Sequence, residues 1–300
     1  MPLPNFLIIG AAKAGTSSLY YYLKQHPQVF MSAIKEPKFF ALEGESLDYK
    51  GPDRGININS VNNLADYQKL FEGVADEVAV GEASPMYLTS PKAPANIKRY
   101  IPDVKLIAIL RNPVDRAFSS YTHLIRENLE TLSFEAAVEA EPERIANKWS
   151  HLFYYTQNGY YASQVKNYLE NYDTENIKIY LYEDLIQDTP KLVDELYGFL
   201  GIDRSFSPDL SKRNVSGIPK SRFLHSLFRK DNVVKDSLKR FFPKEMRRQI
   251  AEDVLRRNLG AKPELDNRMR DRLTSLYRKD ILELQDVLHR DLSGWLAKAS

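Results

Sequence analysis

Short apolar runs alternate with stretches of helical periodicity along the first two thirds of the chain. Asn5 to Gly10, Glu77 to Glu82, Lys105 to Leu110 and Ile177 to Tyr182 carry apolar runs of strand length, the pattern of strands buried on both faces. Between them, Ser17 to Gln25, Val61 to Phe71, Pro94 to Tyr100, Pro113 to Asn128, Phe134 to Ala146 and Tyr160 to Tyr172 predict helices. Strands separated by helices of this length need right-handed crossovers, so the expected fold is α/β: three layers, α/β/α, around a central parallel sheet. Beyond Pro190 the pattern turns helical. Leu192, Leu196, Phe199 and Leu200 fall at helix spacing, and so do Leu273, Leu276, Tyr277, Ile281, Leu284, Val287 and Leu288. The stretch Glu43 to Asn63, rich in Gly, Asn and Asp, predicts a long surface loop. No repeat or low-complexity linker interrupts residues 1–300, so a single domain is expected, with a helical and basic C-terminal part from about 190.

Composition narrows the class without naming a function. Hydrophobic residues make up 43% and charged residues 27%, enough to bury a sizeable core. Lys and Arg total 42 against 40 acidic residues, which argues against wholesale coating of nucleic acid. The charge is unevenly spread, because Lys212 to Arg248 holds twelve basic residues against Asp231, Asp236 and Glu245. Phe223, Leu224, Leu227, Phe228, Phe241 and Phe242 interleave with those charges. Such a segment suits a lid over an anionic ligand, peripheral contact with a membrane, or packed helices with solvated outer faces. The chain has no cysteine, which removes disulfides and thiolate metal sites and fits a reducing compartment. No apolar run approaches the roughly 20 residues of a membrane span. A cytoplasmic location is the expectation.

Candidate chemistry begins where the first strand ends, at Gly10-Ala-Ala-Lys13-Ala-Gly15-Thr16-Ser17-Ser18. Small residues there let backbone amides turn inward around an anion, and a helix start adds further N–H donors and a favourable dipole. The loop is P-loop-like: Gly10 and Gly15 stand five apart, yet the Lys that should follow the second Gly is absent and Lys13 lies inside the turn. There it can lie over a bridging oxygen where charge accumulates. A plain strand-to-helix turn with a solvent-facing Lys accounts for the same residues. Arg111 ends another apolar run, and Ser119 follows about two turns into the next helix, so both can converge on one phosphate. An ion pair between Arg111 and an acidic neighbour is the bland reading of that Arg.

Four segments in order resemble the 3'-phosphoadenosine 5'-phosphosulfate (PAPS)-dependent sulfotransferase family, especially its carbohydrate-type, heparan sulfate-like branch. They are the loop from Pro4 to Leu19, Lys35-Glu36-Pro37-Lys38-Phe39-Phe40, Gly81-Glu82-Ala83-Ser84-Pro85-Met86-Tyr87, and Arg111-Asn-Pro-Val-Asp-Arg-Ala-Phe-Ser119. The resemblance implies transfer of a sulfuryl group from PAPS to a hydroxyl or amine, without a metal. The amides of Ala14, Gly15, Thr16 and Ser17 would take the 5'-phosphosulfate and Lys13 its leaving oxygen. Arg111 and Ser119 would read the 3'-phosphate, and Arg213, Gly217 and Lys220 would belong to a late donor-closing loop. Glu36 would be the base, and His123 would assist proton transfer or line the acceptor pocket. Where the family carries Lys in its third segment this chain has Ala83, which disfavours a polyanionic acceptor. The aromatics from Phe153 to Tyr161 favour a carbohydrate acceptor over a lipid or small alcohol. Two rival functions use the same loop. A P-loop kinase or ATPase would need Glu183 or Asp184 for magnesium, and a non-catalytic module would bind nucleotide alone.

Overall fold

The computed structural model describes residues 3–211, 260 and 263–297. Five strands form one sheet: β1 (Phe6–Gly10), β2 (Val29–Met31), β3 (Ala79–Ala83), β4 (Lys105–Leu110) and β5 (Ile177–Leu181). Their spatial order is β2-β3-β1-β4-β5 and every pairing is parallel, so the α/β expectation holds. All five residues of β1 are buried. A strand covered on both faces has no solvent side, which is why its sequence is a continuous apolar run.

Helices cover the sheet in two groups. α1 (Thr16–Leu23) packs against β1, β2 and β3 and against α12 (Thr189–Leu200). α5 (Met86–Thr89) lies on β1 and meets α2 (Phe39–Leu42) and α6 (Ala93–Tyr100), while α10 (Tyr161–Asn171) packs on α5 and α6. The last described helix, α13 (Asn267–Leu288), closes over α10 and α7 (Pro113–Arg126). α7 starts where the sequence directs it: Pro113 opens the helix, and the Asn112 side chain accepts from the Val114 and Asp115 N–H groups. A buried core runs continuously from Phe6 to Trp295. Among the described residues no helix is long and apolar enough to cross a membrane.

The elements differ from the sequence expectation in several places. The helix expected over Phe134 to Ala146 is two, α8 (Phe134–Glu139) and α9 (Glu141–Ala146), because Pro142 disfavours helical geometry just before it. β2, α2 and α5 have only three or four residues, too few for periodicity to register. The expected surface loop over Glu43 to Asn63 is partly interior, since it contains α3 (Gly55–Asn59) and buries Tyr49 and Ile56. The expected helix over Val61 to Phe71 shortens to α4 (Leu64–Lys69), and the chain after β5 forms α11 (Tyr182–Gln187). The basic segment Lys212 to Arg248, with Arg213, Gly217 and Lys220, lies outside the described residues.

Parallel strands bring all their carboxyl ends to one edge. The chain passes from β1 outward to β2 and β3, then crosses back to β4 on the other side of β1, so the topological switch lies between β1 and β4. Ligands of open α/β sheets bind at that crevice. Lys13 follows β1 there and Arg111 follows β4.

Among the described glycines the tightest surroundings are at Gly81, where a Cβ would stand 2.3 Å from the ring of Phe6, itself fully buried. Gly81→Ala is expected to lower stability by about 1–3 kcal/mol through overpacking. Urea unfolding should show a reduced midpoint at constant slope. An unchanged midpoint would contradict this packing.

Candidate active site

The loop after β1 is aimed by an irregularity in the strand itself. Register with β4 shifts between Ile8 and Gly10, and the Ala11 N–H then donates to Ile109 O at 2.7 Å. Bulges of this kind re-aim a chain next to a site. Lys13 and Gly15 then take left-handed φ values of 71° and 102°. For Gly15 a side chain is excluded twice, because its Cβ would also fall 2.5 Å from Leu185 Cδ2. The Ala14 N–H closes the turn onto Ala11 O at 3.2 Å. Among the described residues the N–H groups of Gly15, Thr16 and Ser17 donate to no backbone carbonyl, so the open donors number one fewer than the four expected from sequence. No acidic residue occupies the first turn of α1. Three amides at a helix start with no carboxylate beside them form a cradle for an anion.

Arg111 locks this loop from the β4 side. Its Nη1 donates to the Lys13 carbonyl at 3.1 Å, and its guanidinium lies 4.6 Å from the centroid of the Tyr182 ring. Among the described residues it engages that carbonyl and that ring rather than a carboxylate. Ser119 sits half-buried on α7 and is not hydrogen-bonded to Arg111. Four residues further on, His123 Nδ1 accepts from Arg126 Nη2 at 2.9 Å, with the Glu127 carboxylate 3.8 Å away. An arginine only donates, so this nitrogen is unprotonated and the imidazole proton resides on Nε2. Burial, reinforced by Arg126 and opposed by Glu36, lowers the Lys13 ammonium to about 8. The same field therefore reaches Lys13, Glu36, Lys35, Arg126 and Glu127.

Glu36 is held from below by β3. Its N–H donates to Ala83 O at 3.0 Å, and both Glu36 and Lys38 take left-handed φ values, 64° and 61°. Two non-glycine residues in that region within three positions are a strained turn that the surroundings must impose. The surroundings are a buried network. The Lys38 N–H donates to Ser84 Oγ at 3.0 Å, and Ser84 Oγ donates to Glu82 Oε2 at 2.8 Å. Tyr87 OH and Tyr67 OH donate to Glu82 Oε1 at 2.5 and 3.3 Å. On the solvent side Lys35 Nζ stands 2.6 Å from Glu36 Oε1, while Lys38 Nζ donates to Glu36 O at 2.8 Å and lies 3.8 Å from Oε2. Burial pushes the Glu36 carboxyl up, but Lys35 and Lys38 together outweigh it and bring it to about 2. Glu36 is thus ionised throughout the neutral range.

Lys13, Glu36, Arg111 and His123 therefore gather at one end of the sheet. Glu183 and Asp184, the candidates for magnesium, do other work. Asp184 forms a two-pronged ion pair with Arg290 at 2.7 and 2.9 Å and accepts from the Leu181 N–H, and Glu183 accepts from Trp295 Nε1. Both clamp the chain after α13 onto the end of β5. Among the described residues no cluster of His, Cys, Asp and Glu could hold a metal. Sequence reasoning missed Arg126, Tyr182 and the seat formed by Glu82 and Ser84. Arg126, three residues from His123 on one helix, was within reach of helix-spacing arguments. Tyr182 and the seat depend on strand register.

Glu82 gives the site a measurable pH signature. Burial, partly offset by hydrogen bonds from Tyr87, Ser84 and Tyr67, raises its carboxyl from 4.5 to about 7. A raised pKa means the folded state binds the proton more tightly, so this contribution is full below 4.5 and declines as pH rises toward 7. Wild type should lose on the order of 3 kcal/mol relative to Glu82→Gln across that interval. Parallel stability–pH curves for the two proteins would refute the assignment.

Residues 3–285 match the Sulfotransferase domain family. The chain is 30% identical over 204 residues to human heparan sulfate glucosamine 3-O-sulfotransferase 3B1, covering 67% of this chain and 47% of that protein. It is 28% identical over 304 residues to human bifunctional heparan sulfate N-deacetylase/N-sulfotransferase 3, covering 98% of this chain and 31% of that one. The chain thus spans less than half the length of these two relatives. A crystal structure of a sulfotransferase from Alicyclobacillus acidocaldarius superposes with a TM-score of 0.79 at 35% identity, over 99% of this chain and 100% of that one. With a match that runs from the first described strand to the last long helix, this chain belongs to the sulfotransferase domain family.

Proposed function

We propose that the protein transfers a sulfuryl group from PAPS to a hydroxyl or amine of a carbohydrate acceptor. The observation that carries this reading is the convergence, at the carboxyl edge of the sheet, of an open-amide loop, a half-buried Lys13, an ionised Glu36 and an Arg111 engaged by no carboxylate among the described residues. The 5'-phosphosulfate fits the amides of Gly15, Thr16 and Ser17, with the Thr16 and Ser17 hydroxyls beside them. Arg111 and Ser119 are assigned to the 3'-phosphate. In the reaction the bond between sulfur and the 5'-phosphate oxygen breaks, a bond from sulfur to the acceptor forms, and the acceptor proton passes to Glu36. Lys13 stabilises the oxygen that remains on the departing PAP. His123 is assigned to assisting proton transfer or to lining the acceptor pocket, a reading supported by its hydrogen bond with Arg126 beside Lys13. The homologues' names support a sugar acceptor, because both curated relatives act on heparan sulfate glucosamine or heparan sulfate. A cytoplasmic site for this chemistry is part of the proposal and is supported by a chain without cysteine.

A carboxylate at about 2 is a weak base, and the chemistry tolerates it. Sulfuryl transfer, like phosphoryl transfer, proceeds through a loosely bonded transition state, so the acceptor keeps its proton until bonding to sulfur has made that proton acidic. Catalysis then rests on position and on charge placed at the leaving oxygen.

Lys13→Ala should reduce turnover roughly 10²-fold or more, as loss of one preorganised stabilising group does. Arg111→Ala should abolish the preference for PAP over AMP in a binding titration. Retention of wild-type turnover by the first variant and unchanged discrimination by the second would together dismiss the proposal.

A further inference from the structure

A cleft of about 560 Å³ opens beside the site, between the segment around Tyr49, α5, the turn at His151 and the face of α10. Its volume is that of a small-molecule site. It joins the reaction centre at two points. Leu88 lines it and also lies against the end of β1, where a Cβ on Gly10 would come within 2.6 Å of that side chain. His151 lines it as well, and its ring shares a field with Glu36 and Lys38.

Two features of the lining point to its ligand. The charged groups in it, among the described residues, are Glu45 and Lys92, and they neutralise one another at 2.5 Å. Beside an aliphatic floor that includes Met86 and Leu88, the lining carries aromatic rings, amides and hydroxyls: Tyr49, Tyr154, Tyr160 and Asn167 are among them. Faces of aromatic rings beside amide groups suit the apolar faces and hydroxyls of a sugar. The second feature is a pair of orphaned polar atoms. His151 is only 5% exposed and its Nδ1 has no hydrogen-bond partner, and the buried Gln164 Oε1 has none either. Buried polar atoms are rarely left so, and a ligand hydroxyl is a natural partner for each.

We infer that this cleft is the acceptor site and receives an uncharged, polyhydroxylated sugar, with the His151 imidazole and the Gln164 amide as its hydrogen-bond partners. The inference rests on the sulfuryl-transfer reading and adds the class of acceptor. Burial, with Lys38 adding to it, holds the imidazole down to about 4, so His151 presents a neutral ring at working pH. Among the described residues, a neutral ring beside a balanced ion pair leaves the cleft's own lining without an unpaired charge for a polyanionic glycan.

The test offers full-length protein and radiolabelled PAPS two acceptor sets: neutral cello-, malto- and chito-oligosaccharides, and anionic heparosan and chondroitin. Transfer to a neutral sugar is expected, with a KM that stays constant between about 0.05 and 0.3 M salt, since no charge pairing is screened. His151→Ala and Gln164→Ala should each raise that KM roughly tenfold, the effect of one lost hydrogen bond, with PAP affinity unchanged. His151→Gln should recover part of the loss and controls for packing. Transfer confined to the anionic set, rejection of every neutral sugar while PAP still binds, or variants with unaltered KM would each overturn the inference. Failure to bind PAP would instead overturn the nucleotide reading beneath it.

Discussion

The central position of β1, hydrogen-bonded to β3 on one side and β4 on the other, governs everything at the candidate site. Because all pairings are parallel, the register Phe6↔Gly81 and Phe6↔Lys105 decides where three loops emerge together. A slip of one residue would turn each buried side chain to the opposite face, and the packing around Gly81 and Phe6 opposes it. With the register fixed, the Ala83 carbonyl meets Glu36 and the Lys13 carbonyl meets Arg111. The acid and the cations are thus brought together by the strand register and then held by contacts with one another.

That arrangement gathers like charges, and gathering them has a cost in the ligand-free protein. Lys13 is brought down to about 8 by burial and by Arg126, so its charge is held less firmly than that of an exposed lysine. A bound polyanion would reverse this, since negative charge near an ammonium favours its protonated form. The left-handed turns at Lys13, Glu36 and Lys38 belong to the same economy of structure: each is sterically unfavourable, and each stands where a strand end or the Glu82 network imposes it.

The sequence disclosed the strands that are long and buried on both faces, and the loop whose glycines have steric reasons. Lys105 to Leu110 was legible to the residue, because a run of six apolar-rich positions between polar flanks admits few other readings. The Lys13 loop was legible for the same kind of reason, as Gly15 shows with its φ of 102° and its contact with Leu185. What stayed hidden depends on long-range pairing. His151 looks like any aromatic-neighbourhood histidine until the short 3₁₀ turn after α9, His151–Phe153, brings its ring beside a cleft and into the field of Glu36. Asp184 looked available for a metal until the chain after α13 folded back to deliver Arg290. No local pattern carries either fact, since the partners lie more than a hundred positions away.

The electrostatics of Glu36 bear on how an acceptor is chosen. As the proposed base, a carboxylate held this low would take a proton only from an oxygen already bonding to sulfur, and so would sort acceptors little by their acidity. On that proposal selection would come from geometry, that is, from which hydroxyl the neighbouring cleft would hold in line with the donor. The lining of that cleft is neutral overall, with its one acid and one base paired to each other among the described residues. Hydrogen bonds and ring stacking remain as the means of discrimination, and these are directional and short in range. A site of this kind distinguishes one hydroxyl of a sugar from its neighbour by orientation, whereas a site lined with unpaired cations would distinguish a charged polymer from a neutral one.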